Sequence, residues 1–388
     1  MKNNFRFKIL IISDLDSRIK WAESLYKQFN CNTTVKKYYK KNFKITTETN
    51  QFDVIILALG GGANYKFLLK FTKYFKVNNS NKRPIIISGF NGITDPENIH
   101  ALLCRLGSDF ICLNSRRDFD VFSNHLKDLN FSKHTLYLSG LLKSYNISRI
   151  KNKIVFFAQP DIPKTKSERT YIVKKLIEIA SKFPDRKVYI KPRAKKSDKN
   201  ITHQEIFFYQ DILKKFNVNN IEFIYEDVEE ILLSTFMSIT VSSTVALESI
   251  YNNIDTVILS DFGVRQEYGN NHFIGSGCLL SFNDLLLGNK PSINQVWKKR
   301  FVLVENTRFE GLVNCVIERI ELQRDNNIMI PMEPLYYSIQ NAPYFYENSL
   351  RINARNDGFF TKIKDGVKKM LCHSKTGKKG VKNGGYEV

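Results

Sequence analysis

Short apolar runs bounded by turn-forming residues alternate along this chain with stretches whose apolar positions recur every three or four residues. That alternation marks β and α units arranged around parallel sheets. In the first part of the chain it predicts strands at 7–13, 33–39, 53–59, 83–89, 109–114 and 135–141, with helices between most of them. The segment 16–29 is representative: Ile19, Leu25, Tyr26 and Phe29 form one stripe that can cover a sheet, while Lys20, Glu23 and Lys27 face water. Residues 145–153 are polar and lack a period, as a linker would be.

A second series follows, with strands expected at 154–159, 187–190, 221–225, 238–241 and 256–259 and helices at 166–183, 203–216, 228–235 and 244–252. Two such series predict an α/β protein of two Rossmann-like, doubly wound domains, 1–146 and 154–320, facing a central cleft. A single eight-fold barrel is the alternative that the same alternation allows. Residues 321–359 read as a helical segment packing back on the first domain, and 360–388 as a basic tail.

The 388-residue length suits two cores, and 43% hydrophobic with 25% charged residues argues against both disorder and a membrane-embedded fold. No run approaches the roughly 20 apolar residues of a spanning helix. The first apolar run is closed by Asp14 and Asp16, so it reads as a buried strand rather than a signal peptide. The six cysteines (Cys31, Cys104, Cys112, Cys278, Cys315, Cys372) show neither metal-ligand nor disulfide-framework spacing, which implies a reducing, cytoplasmic compartment and no bound metal.

A net charge of +21 coincides with abundant Asn and Ile, so a compositional lysine bias competes with a functional basic surface. The lysines are dispersed and the cationic tail is not aromatic-rich, which argues against a nucleic-acid partner. The eight lysines of 360–388 suit either a disordered tail or a basic segment touching the anionic inner face of a membrane.

The most informative stretch is 241–248. Ser242 and Ser243 end an expected strand, Thr244 opens a helix and Glu248 follows one turn on, so hydroxyls and free N–H groups can meet a phosphate. N-capping alone is the competing explanation. In the second stretch, Lys191 and Arg193 flank Pro192 after a buried strand and could neutralise a phosphate leaving group, or be ordinary loop cations.

In the first half, Gly60, Gly61 and Gly62 let bare backbone approach a ligand, with a tight turn as the plain alternative. Asp95, before Pro96 and Glu97, is a candidate general base and equally a helix cap. Asp14 and Asp16 are the rival carboxylates. His203 and His272 are candidates because each borders an expected ligand loop.

A first-domain carboxylate loop, a strand ending in a basic residue plus proline, and a strand ending in Ser-Ser-Thr resemble, in that order, the motifs of bacterial sialyltransferases and polysialyltransferases of GT-B architecture. The resemblance implies that Ser242, Ser243 and Thr244 contact the phosphate of a CMP-sugar. Lys191-Pro192 stands where that family has His-Pro, and Asp95 matches its acidic motif only loosely. Residues 260–279 look like a block shared by a broad group of bacterial glycosyltransferases without settled donors.

The activity implied is inverting, metal-independent transfer of sialic acid from CMP-sialic acid to a hydroxyl of a surface glycan or lipid-linked glycan, such as a lipopolysaccharide O-antigen or capsule, with no cofactor. The alternatives are another nucleotide-sugar donor, a nucleotide-sugar epimerase or hydrolase, and a non-catalytic scaffold for polysaccharide assembly.

Overall fold

The structure, a computed structural model, describes residues 7–14, 16–29, 34–39, 45–77, 82–90, 92–95, 99–131, 135–140, 147, 151–193, 205–302, 310–325, 330–338 and 340–344. Its first half runs β1 (Lys8–Ser13), α1 (Asp16–Tyr26), β2 (Thr34–Tyr39), β3 (Val54–Ala58), α2 (Gly61–Val77), β4 (Ile85–Gly89), α3 (Ile99–Leu103), β5 (Phe110–Leu113), α4 (Arg116–Asp128) and β6 (Leu136–Leu138). The second runs β7 (Lys153–Phe157), α5 (Lys166–Lys182), β8 (Lys187–Lys191), α6 (Tyr209–Leu213), β9 (Ile221–Phe223), α7 (Val228–Leu233), β10 (Thr235–Thr240), α8 (Val245–Tyr251), β11 (Asp255–Leu259), β12 (Leu279–Leu280), α9 (Phe282–Leu287), α10 (Gln295–Phe301) and α11 (Glu310–Asp325).

The strands form two six-stranded sheets, ordered β2-β1-β3-β4-β5-β6 and β12-β11-β10-β7-β8-β9, and every pairing in both is parallel. This is the expected α/β class with two Rossmann-like, GT-B-like halves, and it excludes the eight-fold barrel. Strands β3 and β4 are buried along their whole length, as strands covered on both faces must be.

Several boundaries move from their expected places. Strand β10 begins at Thr235, three residues before the expected 238, because Thr235 pairs with Lys153 ahead of a register shift. The helix expected at 203–216 is only Tyr209–Leu213 among the described residues, since the chain bends at Ile206 and Phe207, where Arg169 holds Glu205 and the Phe207 carbonyl. Most of the linker expected at 145–153, and all of the basic tail 360–388, lie outside the described residues.

Each half has its own core. In the second, α5 lays Ile172, Val173, Leu176 and Ile179 on the strand residues Ile154, Phe156, Val188 and Ile239. In the first, Ile9, Ile11, Val54, Ile56, Ile85 and Ile87 pack with Leu312, Val313, Val316 and Ile320 of α11. Helix α11 therefore belongs to the first core although it follows the second in sequence. It starts ten residues before the boundary drawn at 320, because its apolar stripe packs beside α1 on the same face of the first sheet.

Buried charge fixes this return. The guanidinium of Arg83, at the amino end of β4, donates both terminal nitrogens to Asp109 at 2.8 and 2.7 Å, and the two side chains are 5% and 0% exposed. Arg319 of α11 joins Asp109 at 3.1 Å, and Gln323 exchanges hydrogen bonds with the Arg83 main chain. Among the described residues, those from Pro334 onward belong to a second unit. Among the described residues no helix is long and apolar enough to cross a membrane.

Gly311 lets α11 approach β6, since a Cβ there would lie 2.2 Å from the Tyr137 hydroxyl. Gly311→Ala is expected to lower stability by about 1–3 kcal/mol in urea unfolding. Adding Tyr137→Phe, which leaves the nearest atom at 3.5 Å, should recover part of the loss; equal stability of the single variant and the parent would refute the close approach.

Candidate functional site

In open parallel sheets ligands bind beyond the carboxyl ends of the strands, where the strand order reverses. In the second lobe that point lies between β7 and β10, and Gln159 and Ser242 stand there. The Ser242 N–H donates to Gln159 Oε1 at 3.1 Å, and the two side chains approach to 3.3 Å. The Ser242 hydroxyl also donates to the Tyr268 carbonyl.

Tyr268 in turn hydrogen-bonds Glu168 in the first turn of α5 through its hydroxyl. The next residue of α5, Arg169, is 1% exposed; it pairs with Glu205 and donates to the carbonyls of Gln159, Pro160, Pro163 and Phe207. The loops after β7, β10 and β11 are thereby tied to one helix start.

This changes the part expected of Ser242. Its hydroxyl builds the crevice and is not available to a phosphate. Ser243 is partly spent too, its Oγ accepting from the Val245 N–H at 3.3 Å. Thr244 differs: it makes no side-chain cap on α8, and its Oγ1 lies 3.0 Å from where a Cβ on Gly92 of the opposite lobe would be. Gly92 has φ +102°, and Asn114 holds its carbonyl at 2.7 Å, so the loop after β4 comes up against the start of α8. Glu248 is partly exposed one turn along α8.

Beside the packing of Arg117 and Ile93 on the α10 cluster, three further polar contacts bridge the lobes. Gln266, after β11, reaches Asp95 at 3.5 Å; Arg117, in the first turn of α4, lies 3.4 Å from Nδ1 of His272; and Lys20 of α1 pairs with Asp227 at 3.2 Å. All eight residues of the four bridges follow the carboxyl end of a strand. The two sheets therefore open on one groove, with Asp95, Arg117 and Gly92 on one wall and Thr244, Gln266 and His272 on the other.

His272 sits among Phe273, Trp297 and Phe301, each edge-on to its ring at 5.2–6.1 Å between centroids. Burial, and next the charge of Arg117, push its pKa down to about 4 against the pull of Asp95, so the imidazole is neutral. Lys191, at the end of β8, is half-buried; burial lowers its pKa while Asp227 and Glu226 oppose that shift. It stands two strands from Ser242, roughly 10 Å at ordinary strand spacing. Arg193 is exposed beside it, and His203 lies outside the described residues.

The first-lobe candidates fare differently. Asp14 and Gly60 occupy the switch point between β1 and β3, but the Asp14 carboxylate accepts from the Gly60 N–H at 3.0 Å and pairs with Arg18. Asp14 thus closes that point with its own bonds, which leaves Asp95 as the exposed carboxylate on the groove. Gly61 opens α2 with ordinary space around it, nearest to Cys104 at 3.6 Å.

Sequence reasoning missed Arg117, Gln159, Gln266, Arg105 and Asp118. Arg105 is buried and straps the carbonyls of Leu59, Gly89 and Ala101. Its signal was a cation in the apolar run 101–106. The signal for Arg117 was a cation in the first turn of a helix, against the helix dipole. Asp118 is 3% exposed, with Oδ1 buried and unbonded among the described residues; burial raises its pKa to about 6, against the pull of Ser115 and Arg117.

These shifts give opposite pH dependences. The unfolded chain protonates His272 first, so stability is lost as pH falls from about 6.5 to about 4. The folded chain protonates Asp118 first, so stability is gained as pH falls from about 6 to 3.8. Asp118→Asn should therefore lose stability more steeply than the parent between pH 6 and 4 in urea unfolding. Parallel curves would count against the buried acid.

Comparisons with known proteins fit this geometry into a family. A search of the curated proteins finds no match. Among solved structures, S. aureus MnaA with UDP shares 13% identity and a TM-score of 0.49, covering 84% of this chain and 99% of that one. UDP-GlcNAc 2-epimerase from Methanocaldococcus jannaschii, with UDP-GlcNAc and UDP, shares 12% identity and a TM-score of 0.48, covering 81% of this chain and 100% of that one. The wall teichoic acid polymerase TagF shares 13% identity and a TM-score of 0.48, covering 82% and 90%. The model of the family described as "Putative glycosyltransferase (DUF6716)" matches residues 31–309, most of both lobes, and the chain belongs to that family.

Proposed function

We propose that this chain is a glycosyltransferase that binds a nucleotide-activated sugar at the β7/β10 crevice of the second lobe and passes the sugar to a hydroxyl brought in from the first. The observation that carries this reading is the shared groove: the side-chain hydrogen bonds and ion pair between the lobes come from segments after strand carboxyl ends, so two ligand-binding edges face each other. Transfer between two substrates needs such a pair of edges, and family membership supports the same class of reaction.

The roles follow from which groups are already committed. Thr244 Oγ1 and the main chain around it are the phosphate-side donors, because Ser242 is spent on Gln159 and Tyr268. Lys191 supports the departing nucleotide; the burial that lowers its pKa makes the ammonium a better proton donor than an exposed lysine would be. Asp95, exposed on the facing wall, takes the acceptor proton.

CMP-sialic acid is the donor to test first, on the Ser-Ser-Thr and Lys-Pro motifs, with a surface or lipid-linked glycan as acceptor. No cofactor or metal enters this scheme, and contact with the inner membrane through the basic tail belongs to the same proposal.

The test is a thermal-shift series with CMP, UDP, GDP and their sugars, followed by transfer assays. A nucleotide present at about 100 times its Kd stabilises by about 2.7 kcal/mol, readily seen as a rise in Tm. Thr244→Val should weaken the stabilising nucleotide about tenfold. Asp95→Asn should leave binding intact and slow turnover by about 10²–10⁴. Absence of stabilisation by every nucleotide would refute the donor crevice, and full activity of Asp95→Asn would place the base elsewhere.

A further inference from the structure

Most arginines with described side chains have their charge or donors taken up. Arg83 and Arg319 meet Asp109, Arg18 meets Asp14, Arg169 meets Glu205, Arg265 meets Glu168, Arg324 meets Asp53, and Arg105 caps three carbonyls. Arg117 faces a neutral imidazole at 3.4 Å and the ring of Phe301 at 5.1 Å. No carboxylate among the described residues lies within ion-pair reach of it.

We propose that Arg117 is the receptor in the groove for an anionic group of a substrate, a carboxylate or phosphate carried on the sugar side of the reaction rather than on the nucleotide. The glycosyltransferase reading supplies the identity of that substrate; the anion site itself stands on Arg117 and its surroundings.

Three observations support the assignment. Arg117 and its exposed neighbour Arg116 open α4, where the helix dipole already favours an anion and disfavours a cation, so an oxyanion there meets both the dipole and the side chain. The guanidinium is oriented in advance, laid against Phe301 and pointing one nitrogen at His272, so its planar fork is held with little freedom left to lose.

The third is a hydrogen-bonding vacancy. With Nδ1 of His272 accepting from Arg117, the imidazole proton is on Nε2, and that N–H is buried with no acceptor among the described residues. That N–H points away from Arg117, so the donor short of oxygen atoms in this contact is the guanidinium, whose hydrogen-bond partner is a neutral ring nitrogen. Asp95 and Asp118 are the carboxylates whose fields reach this pair. Asp118 is buried behind it, and Asp95 is turned toward Gln266.

The position suits a two-substrate reaction. Thr244 and the β7/β10 crevice serve the nucleotide, whereas Arg117 and Asp95 share the opposite wall, so an anion held by Arg117 would orient the group whose hydroxyl or anomeric carbon reacts near Asp95. Its source is either the donor sugar, as in a sialic acid carboxylate, or a charged acceptor.

The direct probe is inorganic phosphate, followed by imidazole nitrogen NMR of the intact protein. An anion on Arg117 should raise the titration midpoint of His272 toward the ordinary histidine value, and Arg117→Gln should abolish the rise. If that variant does not fold, the Arg117 guanidinium resonance of the parent protein should move with phosphate over the same concentration range. A His272 midpoint and an Arg117 resonance both indifferent to phosphate would overturn the assignment.

Two further arms identify the source. If it is the donor, Arg117→Gln weakens CMP-N-acetylneuraminic acid about tenfold and leaves CMP unchanged; if it is the acceptor, donor affinities hold and the KM of a charged acceptor rises about tenfold while that of a neutral one does not. A phosphate response that depends on Arg117, in a protein that binds no nucleotide, would sustain the anion site and refute the transferase reading. Unchanged donor affinities and acceptor KM values in Arg117→Gln, with Thr244→Val still weakening CMP, would do the opposite.

Discussion

The fold rests on one constraint: every strand pairing in both sheets is parallel. Parallel neighbours require a crossover after each strand, so all carboxyl ends of a sheet lie on one edge and the following loops and helix starts gather there. Two such edges turned toward each other define the groove before any particular side chain is considered. Gly92 against Thr244, Asp95 against Gln266 and Arg117 against His272 are consequences of that arrangement.

What keeps the edges in place is charge buried at the opposite end of the first sheet. Asp109 holds Arg83 and Arg319 together, so α11 returns across the molecule and completes the core beside α1 on the same sheet face. A fully desolvated bidentate pair is costly to break on one side, because the partner is left charged and unsatisfied. The same logic operates in the second lobe, where Arg169 gathers the carbonyls of the loops after β7 and before α6. Structural cations therefore sit away from the groove or beneath it, and the proposed reaction draws instead on Arg117 and Lys191.

The division between spent and available polar groups also sharpens the functional reading. Ser242 and Asp14 stand at the two switch points, where a ligand-binding group is expected, yet each is committed to neighbouring main chain and side chains. Thr244, two residues past Ser242 in the same loop, and Asp95, after β4, are the groups to which the proposal assigns substrate contact. A crevice whose floor is braced by Gln159, Ser242 and Tyr268 needs little rearrangement when it binds, which favours tight and selective binding.

The sequence by itself determined the architecture. Periodicity located the strands from Lys8–Ser13 to Asp255–Leu259 and the division into two lobes, because burial on both faces of a parallel strand leaves a short apolar run bounded by turn residues. Motif reasoning pointed to Ser242 to Thr244, Lys191 and Asp95, since loops after strands are short and their residues must lie near the sheet edge. Only the tertiary structure decided which neighbours those groups meet. The Ser242 hydroxyl is taken by Tyr268, twenty-six residues on, and the partner of Arg117 is His272, 155 residues away. Local pattern carries backbone geometry, whereas hydrogen-bond satisfaction and desolvation depend on neighbours that the chain brings in from a distance, so they are legible only once it has folded.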